Sequence, residues 1–468
     1  MRIIVLNGSP KGEYSVTLQY VNLVKKIFEE HDFLIIHISK RIKKIEKDLH
    51  LFNQIIEDVK TSDLVLWSFG LWVLAVPAQY MRFIELIMER KAESAFNNKY
   101  TAVISTSIHF YDHTAHNYMR AVCEDLDMQF VEGISFDMMD LMQEKERGDL
   151  ITFFENIIRT VEKKTVMSKM YPPLQFNHFV YEPSHDSDNI KTNKKVLVIA
   201  DYYEENSNLG RMIHRFSSSF ENAAEVIPLN AINIKGACLG CMRCGYDYQC
   251  HYNDEFTDFY NNRVRKADVI VIAGTMNGRY LSSKWKTFFD RAFFWNHTPS
   301  LVGKQIAYLI SGPVSQNYNL VQILEATVTA RQMANMVDIV SDECSDSNEI
   351  DATLQGLAEQ VVYYSERNYI RPFNFLGVGG HKIFRDDVWG RIRGIWQADH
   401  RYYKRHGLYD FPQKKIGLRI MNFFLLLACK VPYIRKKYYD NVKKFPAVRY
   451  GKLIEKLIRK GGYKYSGI

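Results

Sequence analysis

Ten short apolar runs, set apart by amphipathic stretches and falling into two groups of five, restrict the fold of this chain more than any other feature. The first group is "IIVL" (3–6), "FLIIHI" (33–38), "DLVLWS" (63–68), "TAVIST" (101–106) and "FVEGIS" (130–135). The second is "KVLVIA" (195–200), "AEVIPL" (224–229), "DVIVIA" (268–273), "QIAYLI" (305–310) and "MVDIV" (336–340). Between the runs lie helical patterns such as "TLQYVNLVKKIFEE" and "PAQYMRFIELIMER". Alternation of this kind predicts parallel βαβ units, with helices on both faces of each sheet.

The groups repeat in detail. Asp63 opens a strand, and Pro77, Phe83 and Glu85 follow at offsets of 14, 20 and 22; Asp268 opens the equivalent strand, and Ser282, Phe288 and Asp290 follow at the same offsets. A duplication is the economical explanation. Between the groups, residues 171–194 are polar and contain prolines, with neither helical nor strand periodicity, and read as a linker. The expected domains are therefore 1–170, 195–370 and an extension, 371–468.

Charge separates the extension from the rest. Residues 371–468 hold 23 of the 61 Lys and Arg but 6 of the 53 Asp and Glu, a net +17, which leaves the remainder at −9. A basic, mainly helical extension is expected to pack on the body with a solvated face, or to dock on an anionic membrane surface or an acidic partner. It carries no recognised nucleic-acid module. "IMNFFLLLAC" (420–429) is too short to span a bilayer, and "LGVGG" (376–380) reads as a turn. The sequence opens in a strand, without an export signal, which predicts a reducing cytoplasm.

Two stretches carry chemistry. "NGSPKGEYSVT" (7–17) lies between the first strand and the first helix, where hydroxyls and free helix N–H groups suit a phosphate; a plain capped turn is the alternative. "CLGCMRCGYDYQC" holds Cys238, Cys241, Cys244 and Cys250, four of the seven cysteines. The compact CxxCxxCx5C spacing in a reducing compartment points to a 4Fe–4S cluster. Zinc, a redox disulfide or a metal-free loop are the other readings. Cys123, Cys344 and Cys429 read as small core residues.

The first stretch resembles the phosphate loop of the NADPH-dependent FMN reductases of the flavodoxin-like superfamily, with Gly8, Ser9, Pro10, Ser15 and Thr17 matching. "GLWVLAVPAQYMRFIEL" (70–86) resembles the second flavin loop at Pro77, Ala78, Gln79, Phe83 and Glu85, with Trp72 in place of a tyrosine. "STSIHFYDHTAH" (105–116) would be the third. The cysteine loop resembles that of the iron–sulfur flavoproteins, a subgroup of the same superfamily. The resemblance implies two tandem flavodoxin-like doubly wound domains. FMN would be held by Ser9, Lys11, Ser15, Thr17, Trp72, Pro77, Ser105, Ser107 and His109, and a cluster by the four cysteines. The second half keeps less of its flavin loops, and Glu204 and Glu205 repel a phosphate there. The expectation is an internal pseudo-dimer, open to further oligomerisation, with one FMN and one cluster facing across the halves, exchanging electrons with NAD(P)H or a ferredoxin. An FMN-only quinone or nitro reductase and a non-catalytic tethering module are the alternatives.

Overall fold

The computed structural model describes residues 1–184, 189–201, 203–222 and 224–459. All ten apolar runs form strands. β1 (Arg2–Asn7), β2 (Asp32–His37), β3 (Leu64–Gly70), β4 (Tyr100–Ser107) and β5 (Gln129–Asp137) make one sheet in the order β2-β1-β3-β4-β5. β6 (Val196–Ala200), β7 (Glu225–Pro228), β8 (Val269–Thr275), β9 (Gln305–Ser311) and β10 (Asn335–Ser341) make the other in the matching order β7-β6-β8-β9-β10. Every ladder is parallel. The apolar runs are buried because helices cover both faces: Ile3, Val5, Val198 and Val271 are all fully enclosed. Two doubly wound, flavodoxin-like sheets in tandem are thus established.

In the first half the helices are α1 (Val16–Ile27), α2 (Ile38–Lys47), α3 (Leu49–Lys60), α4 (Ala78–Glu89), α5 (Asp112–Asp125) and α6 (Glu144–Glu162). The second half has α7 (Asn208–Ser217), α8 (Glu255–Asn262), α9 (Ser283–Arg291), α10 (Tyr318–Val328) and α11 (Ser347–Glu366). α12 (Phe375–Trp389) and α13 (Gln397–Arg405) complete one compact unit, 1–405. A second unit, 406–468, contains α14 (Ile416–Ala428), α15 (Pro432–Val442) and α16 (Phe445–Arg459), none of which has a buried residue; residues 460–468 lie outside the described residues.

The two halves join through α4 and α9, and the duplicated positions make the join reciprocal. Glu85 of α4 accepts from the backbone N–H and hydroxyl of Ser283 at the N-terminus of α9, both at 2.5 Å. Asp290 of α9 accepts from the backbone N–H of Ala78 at the N-terminus of α4, at 2.9 Å. Each half thus supplies the carboxylate that caps the other half's helix, which satisfies orphan N–H groups and complements both helix dipoles. Buried Arg279 adds a two-pronged bond to Asp125 of α5, at 2.6 and 2.7 Å.

Two expectations need correction. "LGVGG" is part of α12 rather than a turn: a Cβ on Gly380 would stand 2.6 Å from the Phe110 ring, so the missing side chain lets the helix approach the first half closely. Cys344 is exposed in the loop after β10 and Cys429 is half-buried, so of the isolated cysteines only Cys123 is a core residue. Residues 171–184 form no regular element but are firmly attached. Tyr181 is fully buried, bonds Asp351 through its hydroxyl, and takes Asn208 Oδ1 on its backbone N–H at 2.9 Å. Positions 185–188 of the expected linker lie outside the described residues.

Candidate functional site

In the order β2-β1-β3 the succession of strands reverses at β1, so the loops after β1, β3 and β4 converge at one carboxyl edge, where doubly wound sheets hold their ligands. Ser9, Ser15 and Thr17 are all buried in that edge. Ser9 Oγ accepts from the Lys11 N–H at 3.3 Å, and Ser9 N–H donates to Asn7 Oδ1 at 3.0 Å. Thr17 Oγ1 meets Thr106 Oγ1 at 2.6 Å, tying α1 to β4. Ser15 is the N-cap of α1 but makes no side-chain capping bond. The first turn of α1 therefore keeps its N–H groups and positive dipole end for an anion.

The ring side of the edge is apolar. Trp72 stands in the loop after β3 with Lys11 Nζ over its ring, 4.5 Å from the centroid. Its indole Nε1 is buried without a hydrogen-bond partner. A cavity of about 60 Å³ lies between Trp72, Ile108 and Phe110 of the first half, closed by Met242, Phe384 and Trp396. Its volume is well below that of ligand pockets in general, so a flavin ring enters only when this aromatic cover shifts. A donor-rich phosphate cradle, an orphaned indole N–H and an apolar ring slot are the chemistry that FMN needs. Pro77 ends the loop as N-cap of α4.

Ser105, Ser107 and His109 are placed by local bonds. Ser105 Oγ meets His116 Nε2 at 2.8 Å, and Ser107 Oγ accepts from His109 N–H at 2.9 Å. His109 Nδ1 pairs with Asp112 at 2.7 Å; that bond raises the imidazole above its ordinary range and holds the carboxyl low, at about 2 against the opposing effect of burial. Burial pushes His116 down to about 4.

The cysteine loop crosses from the second half and lies against this edge. Gln79 Nε2 donates to the Cys238 carbonyl at 2.9 Å. Gly240 has φ +61°, and a Cβ there would stand 2.5 Å from Trp72, so only glycine permits the loop to touch the ring. Lys11 is desolvated here, which lowers its pKa against the pull of Cys238 and Cys241. Cys238, Cys241, Cys244 and Cys250 line one small cavity together with Trp72 and Arg291. Burial raises the Cys238 thiol to about 12 and Cys244 higher still. Cys244 Sγ donates to Asn296 Oδ1 at 3.0 Å. Among the described residues, however, no three His, Cys, Asp or Glu side chains converge closely enough to hold a metal ion. The four thiols and the adjacent Lys11 suit an anionic cluster, whereas Arg291 is already paired with Asp254 at 2.8 Å and the sulfurs do not converge on one point.

Sequence reasoning missed the cover of the ring slot. Asp399 of α13 is fully buried and accepts from His297 Nδ1 and Thr298 Oγ1, both at 2.8 Å, which fixes Trp396 and its neighbours over the edge. No motif marks these residues; only the acidic Asp399 within a basic stretch hints at a buried partner.

The sequence profile of a family described as NADPH-dependent FMN reductase matches residues 1–139. No curated protein matches the chain. Among solved structures, the flavoenzyme NAD(P)H:(acceptor) oxidoreductase FerB from Paracoccus denitrificans is 15% identical with a TM-score of 0.30, covering 35% of this chain and 97% of its own. The Trp repressor binding protein from Bacillus subtilis is 17% identical with a TM-score of 0.25, covering 36% and 98%. General stress protein 14 from Treponema denticola, in complex with FMN, is 10% identical with a TM-score of 0.26, covering 35% and 98%. The likeness to the NADPH-dependent FMN reductase family thus covers residues 1–139, the first of the two sheets.

Proposed function

We propose that the chain is an FMN-dependent oxidoreductase linked to NAD(P)H or a ferredoxin, with its flavin in the first half and a 4Fe–4S cluster in the 238–250 loop. The observation that carries this reading is the contact between the two motifs: Gly240 of the cysteine loop lies on Trp72 of the flavin loop, with Lys11 over the same ring. FMN held by these residues would supply two-electron chemistry toward hydride donors and one-electron chemistry toward a cluster, so such a neighbour would let the chain pass between the two regimes. The first turn of α1, with Ser9 and Ser15, would take the phosphate. Trp72 and Phe110 would flank the ring, and their cover would exclude water. Lys11 would offset part of the negative charge of the cluster. Burial raises the Cys238 and Cys244 thiols, so cluster assembly would release their protons.

A second reading, an FMN quinone or nitro reductase without a cluster, is favoured by the lack of a converged metal group among the described residues. The double variant Cys241→Ser, Cys244→Ser separates the two. Under the first reading it loses the broad visible absorption of the cluster and single-electron acceptor reduction, while FMN stays bound. Under the second, spectrum and steady-state turnover match the parent.

A further inference from the structure

A second, larger cleft lies beside the two motifs and takes Ala78 and Gln79 from one and Leu239 from the other. It measures about 940 Å³ and lies between α2 of the first half and the carboxyl edge of the second sheet. Asn277 lines it, nine residues after Asp268, the position that Trp72 holds after Asp63. The cleft is thus the pseudo-symmetric counterpart of the Trp72–cysteine contact, with a basic helix where the other side has a cysteine loop.

Its wall carries unmet hydrogen-bonding capacity. Ser39 Oγ, Gln79 Oε1 and Asp201 Oδ1 are buried without partners, and their residues are 3%, 7% and 5% exposed. Gln79 gives its Nε2 to Cys238, which leaves the carbonyl as the free end; Asp201 takes Ser282 Oγ on its other oxygen at 2.9 Å. Unpaired buried acceptors are costly, and a ligand bearing N–H donors relieves them. The rim is cationic: Lys40, Lys44 and Lys284 line it and are exposed, whereas Arg82 is neutralised by Glu46, Glu85 and Glu89. A ligand with N–H groups at one end and phosphates at the other meets both requirements.

We propose that this cleft binds a nucleotide, its base or carboxamide N–H groups on Gln79 and Asp201 and its phosphates on the lysines of α2 and Lys284. The oxidoreductase reading makes a pyridine nucleotide the first candidate, and the choice of that ligand rests on that reading; the cleft and its chemistry do not. The test is calorimetric titration of the full-length, flavin-loaded chain with NADP+, repeated for Lys44→Glu/Lys284→Glu and for Asp201→Asn. Saturable binding at one site, weakened about tenfold by the exposed lysine pair and also by Asp201→Asn, with FMN content unchanged, is the expected result. Absence of saturable binding, or equal affinity in parent and lysine variant, overturns the proposal. NADPH turnover with unchanged KM in the lysine variant would overturn the cleft and leave the oxidoreductase reading intact. Weakened NADP+ binding in a chain that never turns over NADPH would do the reverse.

The 406–468 unit carries an independent inference. In α14, Ile416, Leu418, Ile420, Met421, Phe423, Phe424, Leu426 and Leu427 are all exposed. α15 and α16 add exposed Tyr433, Ile434, Val448, Leu453, Ile454 and Ile458. Over 406–459 there are 13 Lys and Arg against 3 Asp and Glu. At 13 residues, α14 is about 20 Å long, and among the described residues no helix is long and apolar enough to cross a membrane. Apolar surface on all sides of a short helix, edged by cations, matches an anionic lipid interface in chemistry and depth. We infer that this unit docks on anionic bilayers. The full chain should co-sediment with vesicles of 30% phosphatidylglycerol in phosphatidylcholine, and less so at high salt. Arg435→Glu/Lys436→Glu/Lys437→Glu and Phe423→Glu/Phe424→Glu should each release it. No co-sedimentation, or equal retention of parent and variants, overturns the inference.

Discussion

The two halves share a strand order and an interface but treat the same helix terminus in opposite ways. In the first, Ser15 caps α1 without using its hydroxyl, and β4 offers the neutral Thr106 beside it. In the second, Ser207 Oγ caps α7 by accepting from the Gly210 N–H at 3.1 Å. Asn208 is held by the Phe179 carbonyl and by Asp342, and Asp342 also takes the Ser311 hydroxyl at 2.7 Å and the Gly312 N–H at 2.9 Å. Thr106 and Ser311 are equivalent, being paired with Gly70 and Thr275 in the two sheets. Where one half leaves donors open for an anion, the other has supplied its own carboxylate and its own linker. The difference teaches that a duplicated fold retains its frame by keeping the reciprocal caps, while its ligand-binding edge is free to close.

The shared frame can be broken first. Asp290 is buried, pairs with Lys286 and caps α4. Asp290→Ala leaves the lysine uncompensated and should cost about 3–5 kcal/mol in chemical denaturation. Glu85→Gln, which keeps an acceptor for Ser283, should cost less; the reverse order would show that the halves do not rely on the caps as described.

A second difference is a buried carboxyl. Gly8 and Asp201 occupy equivalent positions, each donating its N–H across to the neighbouring strand, to Ser68 and Ala273. Burial raises Asp201 to about 6. The folded state therefore holds this proton more tightly than the unfolded chain, so stability is greater at low pH and is lost as pH rises from about 4 to about 6. The loss should approach about 3 kcal/mol. Asp201→Asn should remove that dependence in denaturant titrations at pH 4.5 and 7.5; an unchanged slope would contradict it.

Smaller effects sharpen the ligand side. Ser9→Asp puts a like charge at the phosphate cradle and should weaken FMN about 30-fold, or about 2 kcal/mol, by fluorescence titration. Glu204→Gln/Glu205→Gln in the second half should leave flavin content alone. Gly240→Ala forces a left-handed alanine against Trp72 and should cost about 1–2 kcal/mol with a shift in Trp72 emission.

Much of this was legible because strands and phosphate turns announce themselves locally. The apolar runs gave every strand, and the offsets from Asp63 and Asp268 located Glu85 and Asp290 before their role as caps was apparent. What could not be read depends on distant packing. Nothing local marks Trp396 as a cover for the ring slot, since Asp399 and His297 that hold it lie about a hundred residues apart. The cleft is built by α2 of one half against Asp201 of the other. The "LGVGG" stretch lies in a helix packed against Phe110 and Ala330, which leave no room for a side chain at Gly380; that distant contact outweighs the local weakness of glycine in helices.

The two halves divide the labour: a flavin edge with an uncapped helix terminus in one, and a cysteine loop from the other laid against it. The most direct test of this division is cofactor stoichiometry on chain purified and reconstituted without oxygen, by flavin absorbance and iron and sulfide analysis. The account predicts one FMN and one four-iron cluster per chain, the iron lost in Cys241→Ser/Cys244→Ser while the FMN remains. Two FMN per chain, or iron-free protein after reconstitution, would contradict it.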